Sequence, residues 1–213
     1  MRIDVWSDIV CPWCYIGRRR LQRALAAFEH RQEIEVVYRS FQLNPAAPKD
    51  RTSDRAAGLM AKYGLAPADL EAMEARLVGI AKDEGLDFHL GPVTGNTFDA
   101  HRLLHLARER GVQDAVVERL FRAYFCEQGS IFDAGSLAPL ATEAGLPEND
   151  VRSMIAGDTY ADAVARDVAE AGALRVRGVP FFLIDGRLAL SGAQPAEVFG
   201  RALEQAWLEP ASR

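Results

Sequence analysis

The stretch SDIVCPWCYIG, residues 7–17, carries two cysteines three positions apart with a proline and a tryptophan between them. It marks a change of hydrophobic period. Upstream, Arg2 to Trp6 alternates, with Ile3 and Val5 on one face, which predicts a strand. Downstream, Pro12 suits the first turn of a helix, and Leu21, Ala24, Leu25 and Phe28 recur at helical spacing. Spacing alone leaves the cysteines open to three readings: a redox pair, half of a metal site, or two small buried hydrophobes.

Moving outward, EIEVVYR from Glu33 to Arg39 alternates again and places Ile34, Val36 and Tyr38 together. Strand, helix, strand implies a parallel pair joined by a crossover. Near the other end, PFFLIDGRLALSG holds two apolar runs separated by Asp185-Gly186, a two-residue hairpin signal. Pro195 opens a last helix in which Phe199, Leu203 and Ala206 share a face and Trp207 adds bulk. The chain ends thus supply strand-helix-strand and hairpin-helix, the element list of a minimal thioredoxin fold. The expected class is α/β, a thioredoxin-like fold with a large all-helical insertion. Residues 1–43 and 178–213 form the discontinuous thioredoxin-like domain, and 44–177 the insertion.

Within the insertion, caps and stops come at regular intervals. Ser53 or Asp54 starts a helix that Gly64 ends; Pro67 starts another with a stripe of Leu70, Met73, Leu77 and Ile80, ended by Gly85. Asn96 or Thr97 starts a third, stopped by Gly111, and Asp114 to Phe125 is a fourth with Val117, Leu120, Phe121 and Tyr124 for its core. Two or three more follow through Leu137, Val151 and Tyr160 to Ala173. LDFHLGPVTG, residues 86–95, is its longest irregular piece, and the block reads as a helical lid.

The 213 residues can bury a sizeable core without disulfides, and 49% hydrophobic content is ordinary for a globular protein. With 25 basic and 30 acidic side chains the formal charge is -5, which gives no general attraction to phosphate backbones or anionic lipid. Nucleic acid and membrane are therefore not expected partners. MRIDVWSD lacks the basic stretch and apolar run of a secretory signal, which predicts a cytoplasmic protein. In a reducing compartment a Cys-x-x-Cys pair is more often catalytic or metal-binding than structural.

Cys11 is expected at the edge of the sheet and the start of a helix, where unpaired N–H groups and the helix dipole favour an anion and lower a cysteine pKa. Cys14, one turn deeper, can attack a mixed disulfide between Cys11 and a substrate. This makes Cys11 the exposed attacking thiol and Cys14 the shielded resolving one. Pro12 stiffens the turn and Trp13 offers an apolar contact surface, but neither adds charge. A zinc site would need further ligands. His101 and His105 lie at i and i+4, yet without nearby acidic or cysteine ligands they read as a partly buried polar helix face, so no metal is expected. Cys126, in AYFCEQG, reads as a free, partly buried cysteine, with pairing to a substrate or a second subunit as the alternative.

With CPWC at the first strand-to-helix junction and GVP at residues 178–180 before the hairpin, the sequence resembles the DsbA-like thioredoxin family. It is most similar to the cytoplasmic FrnE-like branch, related to 2-hydroxychromene-2-carboxylate isomerases and kappa-class glutathione transferases. The resemblance runs from SDIVCPWCYIG through FQLNP at 41–45 and NTFDAHRL at 96–103 to RGVPFFLIDG at 177–186. It implies that Pro180 is cis and faces the redox pair, so that the Val179 backbone can hydrogen-bond a substrate chain. The related isomerases and transferases typically carry serine at the position of Cys11 and activate glutathione; here both cysteines are present. Asn44 and Asn96 fall in segments that can reach a cleft, yet each could equally be a loop or helix cap, capping being the better reading for Asn96, and His101 is a candidate cleft wall.

These features predict a thiol-disulfide oxidoreductase acting on protein or small-molecule disulfides and thiols. Cys11 and Cys14 would be catalytic, and Pro12, Trp13, Val179 and Pro180 would bind substrate. It needs no cofactor beyond its own dithiol, with glutathione as a possible co-substrate. Two other classes stay open: a glutathione-dependent isomerase or transferase acting on a small aromatic molecule, and a chaperone-like binding protein with incidental cysteines.

Overall fold

A computed structural model describes residues 1–209; positions 210–213 of the expected C-terminal segment lie outside the described residues. In chain order the elements are β1 (Arg2–Ser7), α1 (Pro12–Ala27), a 3-10 turn (Arg31–Glu33), β2 (Glu35–Ser40), β3 (Ser53–Asp54), α2 (Arg55–Tyr63) and α3 (Pro67–Asp83). They continue with β4 (Val93–Thr94), α4 (Phe98–Glu109), α5 (Gln113–Cys126), α6 (Ala134–Glu143) and α7 (Glu148–Ala156). The last are α8 (Ala161–Ala173), β5 (Phe181–Ile184), β6 (Leu188–Ser191) and α9 (Ala196–Leu208). The chain divides into two compact units, Met1–Leu43 with the segment from Ala161 onward, and Asn44–Tyr160.

The first unit is a thioredoxin-like α/β fold on a mixed four-stranded sheet, in the order β2-β1-β5-β6. β1 runs parallel to β2, Arg2 opposite Glu35 through Ser7 opposite Ser40, and antiparallel to β5, Ile3 opposite Ile184 through Trp6 opposite Phe181. β1 is buried without a break from Ile3 to Ser7, as a central strand covered on both faces must be, so the alternation of its sequence does not sort it into wet and dry sides. Trp6, Tyr15, Phe182 and Phe199 anchor the core, each wholly buried, and burying side chains of this kind contributes about 1.5–3 kcal/mol apiece. The rings of Phe182 on β5 and Phe199 on α9 meet edge to face at 4.7 Å. β2 begins two residues later than its sequence pattern suggests, because Arg31–Glu33 close a 3-10 turn first.

The hairpin turns at Asp185 and Gly186, with φ of +53° and +70°, the left-handed pair that such a turn requires. Ile184 pairs with Leu188, however, so the loop has three residues rather than two. Arg187 is drawn out of the ladder, its guanidinium donating to the Ala206 carbonyl of α9 at 3.1 Å.

The insertion boundary expected at 177 falls instead after Tyr160, because α8 packs on β2. The reason is a buried carboxylate. Asp167 of α8 accepts from the Ser40 amide at 2.8 Å and from Arg39 at 3.3 Å, while the Trp6 indole donates to the Asp167 carbonyl at 3.0 Å. Arg39 also holds the buried Asp4, at 2.7 Å, so two carboxylates share one guanidinium.

The inserted unit is mostly helical, but β3 and β4 pair as a two-residue antiparallel ladder, so it is not all-helical. Asp54 caps α2 by accepting from the Ala57 amide, and Gly64, at φ +65°, ends it. Val117, Leu120 and Phe121 of α5 are wholly buried and Tyr124 nearly so, as their spacing predicts. The α3 stripe is buried less evenly: Leu70 is inside, whereas Met73 is exposed. Arg102 crosses the unit interior and donates to the carbonyls of Met154, Gly157 and Thr159, tying α4 to the end of α7. Among the described residues no helix is long and apolar enough to cross a membrane.

Candidate active site

Cys11 is the residue immediately before α1, in extended conformation with φ -94° and ψ 111°, and its side chain makes no capping hydrogen bond to the first turn of the helix. Its amide donates to the Asp8 carbonyl and the Cys14 amide donates to the Cys11 carbonyl, both at 3.0 Å, which folds residues 8–14 into consecutive tight turns. Pro12 occupies the first helical position, where it lacks only an N–H that would have had no helical partner. Trp13 is 42% exposed beside it.

Both cysteines are free thiols. They differ less in exposure than the sequence reading expects: Cys11 is 4% exposed and Cys14 3%, so Cys11 is not the exposed member of the pair. Its sulfur is turned inward. The Cys11 thiol donates to the Val179 carbonyl at 3.5 Å, across 168 residues of chain. The Val179–Pro180 bond is cis, and the Pro180 carbonyl accepts from the Gly192 amide at 2.8 Å, which ties this loop to the end of β6.

Two further residues shape the site, and neither was a candidate on sequence grounds. A Cβ on Gly17 would stand 3.1 Å from Pro180 Cγ and 3.3 Å from Phe182 Cζ. Only a glycine lets α1 approach the proline loop this closely. Ser7, the last residue of β1, is 3% exposed, and its hydroxyl oxygen has no hydrogen-bond partner among the described residues. The one available signal was a small polar residue ending an otherwise apolar strand, just before the cysteine turn. Asp8 beside it is also buried, and its carboxylate accepts from the Leu43 amide at 2.7 Å.

Burial pushes the Cys14 thiol well above its usual pKa, and its hydrogen bond to Cys11 and the charge of Cys11 push in the same direction. The Ser7 hydroxyl and the Asp8 backbone oppose this by favouring the thiolate. Cys14 is therefore a protonated thiol at rest and a poor nucleophile until its proton leaves.

The other sequence candidates lie in the inserted unit. Asn44 is exposed, and its carbonyl accepts from the Ala47 amide at 3.2 Å in a turn. Asn96 accepts from the Phe98 amide at 2.9 Å through its side-chain oxygen and donates to the Ala47 carbonyl at 2.7 Å, a helix-capping and loop-tying role. His101 is wholly buried on α4, and the His105 ring lies parallel to Tyr160 with centroids 6.3 Å apart. Among the described residues no group of three or more His, Cys, Asp or Glu side chains converges as a metal site. Cys126 ends α5, half-buried; burial and the nearby Asp87 carboxylate push its thiol up, which keeps it protonated. A cavity of about 640 Å³ lies between the C-terminal part of α1 and α9, lined by Phe28, His30 and Trp207 among others, but neither cysteine nor Pro180 borders it.

The family model of the DSBA-like thioredoxin domain matches residues 2–204. A probable DsbA oxidoreductase from Streptomyces coelicolor is 46% identical and superposes with a TM-score of 0.95 over 100% of this chain and 92% of that one. The cytosolic disulfide reductase DsbM from Pseudomonas aeruginosa, solved with GSH, is 19% identical with a TM-score of 0.68, covering 98% of this chain and 100% of its own. A 2-hydroxychromene-2-carboxylate isomerase is 15% identical with a TM-score of 0.69 over 97% and 96% of the two chains. The last two likenesses are of fold alone.

Proposed function

Because the chain belongs to the DSBA-like thioredoxin-domain family, we propose that it is a thiol-disulfide oxidoreductase working through Cys11 and Cys14. The observation that carries this reading is the pair of free thiols at the start of α1, with the Cys11 sulfur held 3.5 Å from the Val179 carbonyl. As a thiolate, Cys11 attacks one sulfur of a substrate disulfide; the S–S bond breaks, the departing sulfur takes a proton, and Cys11 is left in a mixed disulfide. Cys14 then loses its proton and attacks Cys11. The Cys11–Cys14 bond forms as the second substrate thiol leaves, so two electrons pass from the protein to the substrate. Running backward, the same steps oxidise a substrate dithiol.

Movement of the Cys11 sulfur away from Val179 frees that carbonyl to accept from the backbone of an extended substrate, with Pro180 bordering the contact and Pro12 and Trp13 offering apolar surface. Glutathione is the small thiol that would return the disulfide to the dithiol form, a role supported by the glutathione bound to the Pseudomonas reductase. A cytoplasmic location, which belongs to the same proposal, would supply a reductant of that kind.

Insulin reduction, followed by turbidity with glutathione as reductant, tests the assignment. Activity should be lost in Cys11→Ser, and equal activity in both proteins would defeat it. Glutathione-dependent isomerisation of a small aromatic substrate is the second reading, favoured by the shared architecture of the isomerase. It requires catalysis to survive Cys14→Ser, because only one activated sulfur is needed.

A further inference from the structure

Ser7 presents a hydroxyl that the resting fold does not use. Its oxygen is buried and without a hydrogen-bond partner among the described residues, a condition that weakens a fold unless it serves another state. Ser40, opposite Ser7 in the β1–β2 register, gives its amide to Asp167. Ser7 ends β1 just before the two turns that carry the chain to Cys14, closed by the Cys11 amide on the Asp8 carbonyl and the Cys14 amide on the Cys11 carbonyl, both at 3.0 Å, and both residues are 3% exposed. The charged form of the Cys14 sulfur is one that the Ser7 hydroxyl and the Asp8 backbone both favour. In the dithiol the Cys14 sulfur is a neutral, protonated thiol and gives Ser7 no strong acceptor. A thiolate would, since an anionic acceptor makes a stronger hydrogen bond than a neutral one.

Resting on the oxidoreductase reading above, we propose that Ser7 is a positioning residue for the resolving step: its hydroxyl donates to Cys14 Sγ as that sulfur attacks the mixed disulfide at Cys11. The proton leaving Cys14 passes to solvent. Cys14 Sγ bonds to Cys11 Sγ, the bond from Cys11 to the substrate sulfur breaks, and the departing thiolate takes up a proton. Cys11 and Cys14 are oxidised together by two electrons and the substrate disulfide is reduced, so no further reactant is needed. Ser7 leaves attack by Cys11 untouched and acts only on the second half of the exchange.

The test uses oxidised glutathione as the probe on the full chain, with quenched-flow mass spectrometry following the Cys11–glutathione adduct as it forms and decays. Ser7→Ala should form the adduct at the wild-type rate and resolve it about tenfold more slowly, the effect of one pKa unit on the thiolate fraction. Ser7→Thr should restore resolution, and Ser7→Ala should melt no lower than wild type, because it removes a hydroxyl the resting fold leaves unpaired. Resolution of the Ser7→Ala adduct at the wild-type rate would overturn the inference. So would equal slowing of both steps together with a lower melting temperature, which would make Ser7 structural. If the wild-type adduct decays no faster than that of Cys14→Ala, the oxidoreductase reading itself fails and takes this inference with it.

Discussion

The close approach of α1 to the proline loop makes Gly17→Ala an informative change. The added methyl group would lie 3.1 Å from Pro180 Cγ, 3.3 Å from Phe182 Cζ and 3.5 Å from the Ala193 backbone, the first two well inside comfortable carbon contact. The sign depends on whether those neighbours can give way. Phe182 is wholly buried on a strand paired on both sides and packs on Phe199, and Pro180 is buried with its carbonyl bonded to Gly192. Both are therefore held in place by pairing and packing. Alanine inside a helix gains about 0.5–1 kcal/mol over glycine, whereas overpacking a rigid core costs about 1–3 kcal/mol. The balance is a net destabilisation of about 1 kcal/mol, or a fall of about 2–4 °C in melting temperature for a chain of this size. Function should suffer more than stability. Relief of the contact moves Pro180 by a few tenths of an ångström, and with it the Val179 carbonyl that holds Cys11. Exchange should therefore slow by about an order of magnitude or less, as misplacement of reacting groups does. Urea denaturation gives the stability and insulin reduction the rate. A variant as stable as wild type or more so, with unchanged exchange, would show that the loop yields without cost and would refute the reasoning.

Two other outcomes test the electrostatic reading. Because burial is the first cause of the raised Cys14 pKa, Cys14 in a Cys11→Ser background should resist iodoacetamide up to about pH 9, near the ordinary thiol range; rapid labelling at neutral pH, read by mass spectrometry, would contradict it. The sign for stability follows: Cys14 stays protonated in the fold while the unfolded chain ionises, so its contribution is complete below the unfolded pKa and is lost as pH rises through and beyond it. Asp167→Ala should cost about 2–4 kcal/mol in urea denaturation, since it orphans the buried Ser40 amide and half of the Arg39 pairing. A loss below about 1 kcal/mol would mean that α8 is held by its apolar face alone.

Much of the fold could be read from local pattern because its signals are local. Pro12 and Pro195 stand at helix starts, Gly64 and Gly111 take left-handed conformations just past helix ends, and Asp185-Gly186 makes the turn. What escaped were relations between distant residues. The placement of α8 with the sheet depends on Asp167, a charged residue that looks solvent-facing in a helix pattern and is buried only because Ser40 and Arg39 meet it. The extra loop residue at Arg187 answers to α9, and Met73 sits in an apolar stripe yet is exposed.

At the site the same division holds. The sequence alone determined the dithiol, its seat at a strand-to-helix junction and the returning Gly-Val-Pro, since residue type and spacing suffice to state them. Tertiary structure decided that Cys11 is turned inward onto the Val179 carbonyl, that Gly17 admits Pro180, and that the buried Ser7 hydroxyl has no hydrogen-bond partner among the described residues. The first two are distances between segments far apart in the chain, and the third is the desolvation that packing imposes on neighbours in one turn; no local pattern of residues encodes either.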